Sequence, residues 1–575
     1  MDHFLPTTKK EVDALGWDYI DVILISGDAY VDHPSFSHAV IGRWLEKMGL
    51  RVAIVPQPNW QDDGRDFSKL GKPRLFFAIT AGNMDSMVNH YTATKRLRHD
   101  DAYTPGGKHG FRPDYATIVY TKWVKQLFPD TPVIIGGIEA SLRRLSHYDY
   151  WSDSLKPSIL MDCPADVLVY GMGERPMTEL VSIFQQPNWK EHIGSCSQIA
   201  FRTTDWKRYV KQDECLMLHS FEKELQNKRF YGEDFVAFET ETNKMVQRTI
   251  IQPCRQEYVV VLPPYPPATQ QEMDSFALHD VMMNAPHPKY AKRGDIPAWE
   301  MIKNSITIHR GCFGGCSFCA ITAHQGRFIS SRSPESVMAE VKDLSQRPYF
   351  KGHITDLGAP SANMYGMHGR RMEVCRKCSK PSCIFPSICQ NLIINHKPLI
   401  SLYQQAAAVR NVKHITIGSG IRYDLLISDD KTDRENGLTD YLTEVMCHHV
   451  SGRLKVAPEH TETRVLNKMR KPDFHTFRTF NQKFQQINRK LGKKLQLVPY
   501  FISAHPACTF DDMKALHKNT AHQHLHIEQV QDFTPTPMTY STAMYYLGYD
   551  PYTGEKVFCA KGKKEKDKQK ECFFH

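Results

Sequence analysis

The stretch Arg310–Ala320 carries three cysteines, Cys312, Cys316 and Cys319, in a Cys-x3-Cys-x2-Cys spacing. Three thiolates so close in sequence can hold one metal centre without help from distant parts of the chain. The intervening glycines let the loop wrap tightly around a bulky group, because glycine reaches backbone angles that other residues avoid. A cubane iron–sulfur cluster needs four ligands, usually thiolates, so three local ligands leave one iron open to a small molecule. The alternative is a zinc knuckle with a remote fourth ligand, although zinc sites more often use paired Cys-x2-Cys elements.

The cysteine grouping, apolar runs and charge of the chain indicate the cellular compartment of the protein. Of 15 cysteines in 575 residues, seven fall in two tight groups, which favours metal ligation in a reducing cytoplasm over a disulfide scaffold. We find no run of about 18 apolar residues and no signal peptide, so we expect a cytoplasmic protein without a membrane partner. The formal charge is +10, partly from the lysine-rich stretch 561–570. We interpret that stretch as a solvated, disordered tail or, alternatively, as a nucleic-acid contact.

Residues 1–190 alternate short apolar strands with helical stretches. Strands of this kind are typical of parallel sheets buried on both faces, and we predict them at Tyr19–Ile25, Arg51–Val55, Leu75–Ile79, Pro132–Ile135 and Asp166–Tyr170. A helix is predicted at Ser35–Met48 between the first two. The alternation predicts an α/β domain whose ligands bind at the carboxyl ends of the strands.

The rest of the chain divides into three parts. Residues 191–295 lack the alternation and contain proline-dense segments at 262–267 and 285–289, so we interpret them as an irregular linker. From 296 to 540 the alternation resumes, with a helix predicted after Ser333 as N-cap. The strands predicted there are Ser305–His309, His353–Leu357, His414–Ile417, Leu454–Ala457, Leu497–Phe501 and His526–Val530. Residues 541–575 form a short C-terminal region with the basic tail.

A second cysteine group lies within the 296–540 segment. Its members are Cys375, Cys378, Cys383 and Cys389. Four thiols in fifteen residues can complete a closed site, and both zinc and an auxiliary [4Fe–4S] cluster suit four cysteines. We favour the cluster slightly, because the three-cysteine loop already requires delivery of an iron–sulfur cluster to this protein. The remaining alternative is that the four thiols bind no metal.

The three-cysteine loop, with the aromatic Phe318 before its third cysteine, resembles the loop of radical SAM enzymes, in which S-adenosylmethionine (SAM) chelates the open iron. The wider sequence is similar to the YgiQ-type radical SAM family along nearly the whole chain. The segments that carry the resemblance are His309–Ile321, His324–Arg327, Ser331–Ser333, the four-cysteine loop, Ser419–Asp424 and Phe533–Pro537. Longer members of that family continue past the end of this chain, so the resemblance implies that Tyr540–His575 is a truncated C-terminal region.

The resemblance implies an α/β fold: an N-terminal cobalamin-binding-like doubly wound domain (1–190), followed by a partial (β/α)6 barrel (296–540) with the four-cysteine insertion at 375–389. The Asp-x-His-x-x-Gly motif, whose histidine coordinates cobalt, is absent, and Asp32 and His33 are adjacent instead. We therefore predict that cobalamin is not a cofactor and that this domain is vestigial or holds substrate.

Strand ends after the cysteine loop become candidates for binding SAM. Backbone carbonyls of Gly358 and Ala359 could accept from the methionine amine. Ser419 could bond the ribose or carboxylate, and Arg422 could pair with the carboxylate or form a structural salt bridge. Glu459 could bond ribose hydroxyls or serve as a carboxylate at a helix N-terminus. Phe318 completes the set of predicted SAM-binding residues.

The function implied is that of a radical SAM enzyme with a [4Fe–4S] cluster that cleaves SAM to a 5′-deoxyadenosyl radical and modifies an unknown substrate. The resemblance also implies an electron donor such as flavodoxin or ferredoxin. A first alternative is methyl or methylthio transfer to RNA, since 456–469 resembles the SAM-ribose region of methylthiotransferases. A second is a metal-bearing nucleic-acid-binding protein without catalysis. No recognisable RNA-binding domain supports either one.

Overall fold

The structure is a computed structural model that describes residues 3–523, 525, 527–528, 530–571 and 573. Its contacts divide the chain into two compact units. The first comprises Met1–Thr242, Val246–Pro266 and Ser275–Lys303, and the second comprises Asn243–Met245, Pro267–Asp274 and Asn304–His575. No helix in the described ranges is long and apolar enough to cross a membrane.

The first unit is built on a nine-stranded sheet. Its strands are β1 (Val22–Ser26), β2 (Val52–Pro56), β3 (Phe76–Thr80), β4 (Val133–Gly136), β5 (Val167–Val169), β6 (Ile199–Thr203), β7 (Cys215–Met217), β8 (Thr249–Cys254) and β9 (Glu257–Val261). They lie in the order β7-β8-β9-β6-β5-β4-β3-β1-β2. Strands β1 to β5 are parallel in the order 2-1-3-4-5, as in flavodoxin-like sheets. The five predicted strands are confirmed.

One helix of the first unit is predicted from the sequence. The helix predicted at Ser35–Met48 is observed at Ser37–Lys47. The α-helices of this unit are Lys9–Ala14, Ser37–Lys47, Arg65–Ser68, Ser86–His90, Ala116–Leu127, Gly137–Ser141, Ile159–Asp162, Glu174–Phe184, Trp189–His192, Phe221–Gln226, Lys228–Thr242 and Pro297–Ile302. A further short helix, Gln270–Ser275, lies in the segment where the chain passes between the units.

The interpretation of 191–295 as an irregular linker is wrong, because this segment supplies four strands of the sheet. Strand β6 runs antiparallel to β5, and β9 and β8 extend the sheet as an antiparallel hairpin. Pro253 stands inside β8, where proline normally argues against a strand. The hairpin turns at Arg255 with φ of 57°, without the glycine or asparagine that usually marks such a turn.

The second unit holds strands that pair in parallel, as predicted. They are β10 (Ser305–Thr307), β13 (His353–Ile354), β14 (Asp356–Gly358), β15 (His414–Ile415), β16 (Arg453–Glu459), β17 (Gln496–Ser503) and β18 (Val530–Asp532), and a short antiparallel hairpin adds β11 (His309–Arg310) and β12 (Ser330–Ser331). The parallel pairs are β10–β14, β13–β15, β16–β17 and β17–β18. Of the predicted last strand, His526 and Gln529 lie outside the described residues. Closure of these strands into a six-stranded partial barrel stays a prediction.

The longer helices of the second unit pack apolar residues against its main core. The α-helices of this unit are Ile321–Gln325, Pro334–Gln346, Met372–Lys377, Lys397–Ala407, Asp430–Asn436, Leu438–His448, Thr463–Met469, Phe474–Lys490, Phe510–His522, Tyr540–Leu547 and Lys563–Glu571. Ser333 caps Pro334–Gln346 through a bond from the Ser336 amide at 3.1 Å, as predicted. Phe477, Phe480 and Phe484 recur at helical spacing and are fully buried.

Candidate functional site

The three-cysteine loop connects β11 to the helix Ile321–Gln325. The Cys312 amide donates to the Gly326 carbonyl at 3.2 Å, and the Cys319 amide donates to the Cys316 carbonyl at 3.1 Å. Gly315 has φ of 63°, and a Cβ there would lie 2.3 Å from the Pro381 carbonyl oxygen. The loop therefore needs glycine at this position, because the four-cysteine segment passes directly against its backbone.

The thiols of the loop influence one another electrostatically. Burial and, to a smaller extent, the neighbouring Cys316 thiol raise the pKa of the Cys319 thiol to about 12. Burial and Cys316 raise the pKa of Cys312 as well. A bound metal would instead lower the pKa of these thiols, since coordination to a metal ion deprotonates a thiol outright. Among the described residues, no group of three or more His, Cys, Asp or Glu side chains is placed to hold a single metal ion.

Arg422 lies beside the loop rather than free to take a SAM carboxylate. Its Nε and Nη2 donate to Asp424 at 2.9 and 2.6 Å, and its Nη1 donates to Cys316 Sγ at 3.3 Å. Arg422 and Asp424 are both buried. The salt bridge considered from sequence is therefore present, and the remaining donor faces a cysteine sulfur. The Arg422 guanidinium therefore places one fixed positive charge next to the cysteines that would be thiolates in a bound cluster.

Two predicted SAM residues meet at neighbouring strand ends. Asp356 Oδ1 accepts from the Ser419 amide and hydroxyl at 3.1 and 3.0 Å and from the Gly418 amide at 2.8 Å. A Cβ on Gly358 would lie 2.0 Å from Ser419 Oγ. The Gly358 carbonyl already accepts from the Ile308 amide at 2.9 Å, so one of its lone pairs is used inside the sheet.

Glu459 ends β16 in a strained conformation. Its φ is 70°, in the left-handed region that residues with a Cβ avoid. Its buried carboxylate lies 3.5 Å from Lys471 Nζ, which is also buried. Burial raises the pKa of Glu459, and Lys471 opposes that rise only in part. Strain, burial and a cation at one strand end are typical of a binding or catalytic position.

Phe318 and the loop lie against a buried polar chain. The Phe318 ring contacts the His505 ring edge-on at 6.1 Å between centroids. His505 Nε2 lies 2.7 Å from Ser541 Oγ, which lies 2.7 Å from Ser317 Oγ. The Ser541 amide also donates to the Ser317 carbonyl at 2.9 Å. The other predicted SAM residue, Ala359, is partly buried against the core of the second unit.

The interpretation of 561–570 as a disordered tail is wrong. Lys563–Glu571 is a helix, and its Gln569 is 2% exposed. Gln569 Oε1 accepts from the Ala504 amide at 2.7 Å, and its Nε2 donates to the Cys508 carbonyl at 2.8 Å. The helix therefore holds the turn that carries His505, because Gln569 satisfies two of the buried backbone groups of this turn. Lys566 on the same helix is also buried, at 1% exposed, and the lysine-rich composition of the segment does not reveal either contact.

The four-cysteine loop packs on the three-cysteine loop. The Cys383 amide donates to the Phe313 carbonyl at 3.0 Å, and Ser382 Oγ donates to the Gly314 carbonyl at 2.8 Å. The buried Arg327 faces the thiols: burial alone would raise the pKa of Cys378, but a hydrogen bond from Arg327 lowers it overall. Nε and Nη1 of Arg327 have no hydrogen-bond partner among the described residues.

Sequence reasoning missed four residues that complete these sites. They are Arg327, Asp424, Lys471 and Gln569. Arg327 and Asp424 stand inside segments that carry the family resemblance, and that was the available signal. Lys471 and Gln569 carry no local signal, because their partners Glu459, Ala504 and Cys508 lie elsewhere in the sequence.

The chain resembles known proteins in sequence and in fold. A family model described as Radical SAM N-terminal matches residues 4–305, and a domain of unknown function (DUF3362) matches 528–574. A UPF0313 protein of Bacteroides thetaiotaomicron is 53% identical over 99% of this chain and 94% of its own length. Those of Porphyromonas gingivalis and Methanocella arvoryzae are 52% and 45% identical, over 99% and 97% of this chain and 90% and 91% of their own lengths.

Among solved structures, the radical SAM methyltransferase TsrM from Kitasatospora setae, with cobalamin and a [4Fe–4S] cluster bound, matches with a TM-score of 0.49 at 12% identity, over 96% of this chain and 91% of TsrM. OxsB, with aqua-cobalamin and SAM bound, matches with a TM-score of 0.48 at 10% identity, over 94% of this chain and 57% of OxsB. These structures contradict the prediction against cobalamin, which is withdrawn. That prediction rested only on the absence of a cobalt-ligating histidine. A histidine supplies only one axial ligand to cobalt, so its absence does not exclude cobalamin.

Proposed function

Because the chain belongs to the UPF0313 (YgiQ-type) family of radical SAM enzymes, we propose that Cys312, Cys316 and Cys319 hold a [4Fe–4S] cluster with SAM on its fourth iron. The chemistry supplied by the bound cluster is one electron to the SAM sulfonium, which yields methionine and a 5′-deoxyadenosyl radical able to abstract hydrogen from a substrate not yet identified. The chain itself contributes the thiols, a binding site for SAM (the SAM cradle) and charged groups that favour binding of the cluster and of SAM.

The observation that carries the proposal is the donor set. Three cysteines lie on one tight loop, and the buried Arg422 donates to Cys316 Sγ at 3.3 Å while Asp424 fixes its orientation. Uncompensated thiolates would be costly at a buried site. A clamped guanidinium lowers that cost, so this loop suits an anionic cluster.

The SAM cradle is proposed at the strand ends nearest the loop. Glu459 is the strongest candidate, since its backbone is strained and its buried carboxylate can accept from ribose hydroxyls or from the methionine ammonium. Gly358, Ala359 and Ser419 form the adjacent strand end, where Ser419 Oγ can rotate from Asp356 towards a ligand. Phe318 offers an aromatic face next to the third thiol. Arg422 takes the role of cluster neighbour in place of the SAM-carboxylate role.

We propose a second metal centre in the four-cysteine loop. Cys375, Cys378, Cys383 and Cys389 supply four thiols, and Arg327 supplies a buried cation whose Nε and Nη1 find no hydrogen-bond partner among the described residues. Hydrogen bonds to cluster sulfurs and local charge tune such centres. An auxiliary [4Fe–4S] cluster is proposed over zinc, and metal analysis distinguishes about four irons from one zinc.

The testing experiment replaces Cys312, Cys316 and Cys319 together by alanine, with Cys447→Ala as the control. After anaerobic reconstitution, the control should show an electron paramagnetic resonance signal that shifts on adding SAM, and should release methionine and 5′-deoxyadenosine with dithionite. The triple variant should lose both and keep at most the metal of the four-cysteine loop. A SAM-sensitive signal in the triple variant would show that the assignment is wrong.

A further inference from the structure

The surface over the four-cysteine loop is strongly basic. We define the basic cap as the five exposed cations Arg370, Arg371, Arg376, Lys377 and Lys380. Glu373 is the only acidic residue between 370 and 380. None of the five basic side chains forms a salt bridge within the described part of the chain. Their charge is therefore free to act on a partner.

Apolar side chains stand exposed among these charges. Met372 is 40% exposed, Val374 is 41% exposed and Ile388 is 37% exposed. Met372 and Val374 belong to the short helix Met372–Lys377, which carries two of the cations. Apolar groups inside a charged rim are typical of a protein interaction site.

The cap also lies on a short route to the cluster loop. Cys389 is exposed, whereas Cys383 in the same loop bonds through its amide to Phe313, next to Cys312. A metal centre held by these four thiols would thus lie between the surface and the three-cysteine loop. Arg376 and Lys377 stand between Cys375 and Cys378, and Lys380 follows two residues after Cys378, so cations of the basic cap flank two of the four thiols along the chain.

We propose that the basic cap is the docking surface for a small acidic one-electron donor protein of the flavodoxin or ferredoxin kind. The inference rests on the proposed function. In each transfer the donor would lose one electron. The centre that Cys375, Cys378, Cys383 and Cys389 would hold could pass this electron to the cluster on Cys312, Cys316 and Cys319, which would supply it to the SAM sulfonium as its carbon–sulfur bond breaks.

The chemistry of the cap favours an acidic protein over a nucleic acid. Residues 370–380 contain no aromatic side chain, whereas single-stranded nucleic acids are usually held by aromatic stacking platforms as well as charge. Complementary charge mainly speeds association and orients the partner, which suits a donor that must dock and leave once per electron.

The test measures binding of a bacterial flavodoxin and a bacterial ferredoxin to the full-length protein, with and without its metals, at low and high salt. The variant carries Arg371→Glu and Lys377→Glu, and the matched control carries Lys563→Glu and Lys564→Glu on the exposed face of the C-terminal helix. We expect at least one donor to bind in a salt-sensitive way. The cap variant should weaken that binding by about tenfold or more, and the control should stay within about twofold.

Iron content and dithionite-driven SAM cleavage should be the same in both variants, since dithionite needs no docking surface. Absence of cleavage in the unmodified protein with dithionite would refute the proposed function, whereas the binding data test the cap by themselves. Equal donor affinity for the two variants overturns the docking proposal. So does salt-sensitive binding of a labelled single-stranded RNA that the cap variant loses while donor binding stays unchanged.

Discussion

Replacing Gly315 by alanine should disrupt both cysteine loops, although neither cysteine group is altered. The new Cβ would lie 2.3 Å from the Pro381 carbonyl oxygen and 2.8 Å from both the Pro381 carbonyl carbon and Ser382 Cβ. Two of these atoms are backbone, so they cannot move aside by changing rotamer. The four-cysteine loop must instead shift away from the three-cysteine loop.

The magnitude follows from two terms. A residue with a Cβ in the left-handed region costs about 1–2 kcal/mol. Separating the loops also breaks the bonds of Cys383 to Phe313 and of Ser382 to Gly314, each worth about 1 kcal/mol. The total is about 3–4 kcal/mol. Gly366→Ala is the matched control, because Gly366 has φ of 72° with nothing within 4 Å of its added Cβ, and only the first term applies.

The assay compares metal content after anaerobic reconstitution with hydrogen exchange of the two loops. Gly315→Ala should bind less iron than Gly366→Ala, and its peptides covering 310–320 and 378–390 should exchange faster. Equal iron content and equal exchange in the two variants would refute the reasoning, because it would show that contact between the loops does not support either site.

Three other perturbations have defined outcomes in urea denaturation. Gln569→Ala leaves two buried backbone groups unsatisfied and should destabilise the second unit by about 2–5 kcal/mol, whereas Lys564→Ala on the same helix should change stability by less than about 0.5 kcal/mol. Arg422→Leu strands the buried charge of Asp424 and should cost about 3–5 kcal/mol, most of which the double variant with Asp424→Leu should recover; no recovery would show that the pair is not the main term. Burial lowers the pKa of His396 to about 3, so the folded state disfavours its protonation. His396 should therefore contribute about 1.4 kcal/mol per pH unit to the loss of stability as the pH falls from its unfolded pKa of about 6.5 towards 3, and His396→Gln should remove this contribution from the measured slope.

Local patterns in the sequence predicted what local physics determines. The buried strands β1 to β5 are short apolar runs, which few other environments accommodate, and the N-cap at Ser333 depends on neighbours three residues away. The strands and the N-cap could be predicted because each depends on a short segment of chain. The cluster site at Cys312, Cys316 and Cys319 also rests on a spacing within eight residues, and it stays a prediction.

The remaining features depend on contacts between distant segments. Strand β9 is rich in valine, but its partner β8 lies across a turn without a recognisable signal and its partner β6 is distant in sequence. The prolines that follow β9 also obscured the pattern. For Arg422 the sequence leaves both a SAM carboxylate and a salt bridge open, because it does not show that Asp424 and Cys316 already take its donors. The strained backbone of Glu459 is imposed by tertiary contacts, so no local sequence pattern predicts it.

The docked helix Lys563–Glu571 has a consequence for synthesis of the protein. Gln569, which holds the turn carrying His505, leaves the ribosome about 250 residues after Cys319. At roughly 5–20 residues per second, that delay is about 10–50 s. During this interval the three cysteines are already made, but the turn beside their loop lacks its final hydrogen bonds. We therefore expect a nascent chain to pass through a stage in which its thiols are open to oxidation or to the wrong metal, and cluster delivery to be safest after the helix has docked.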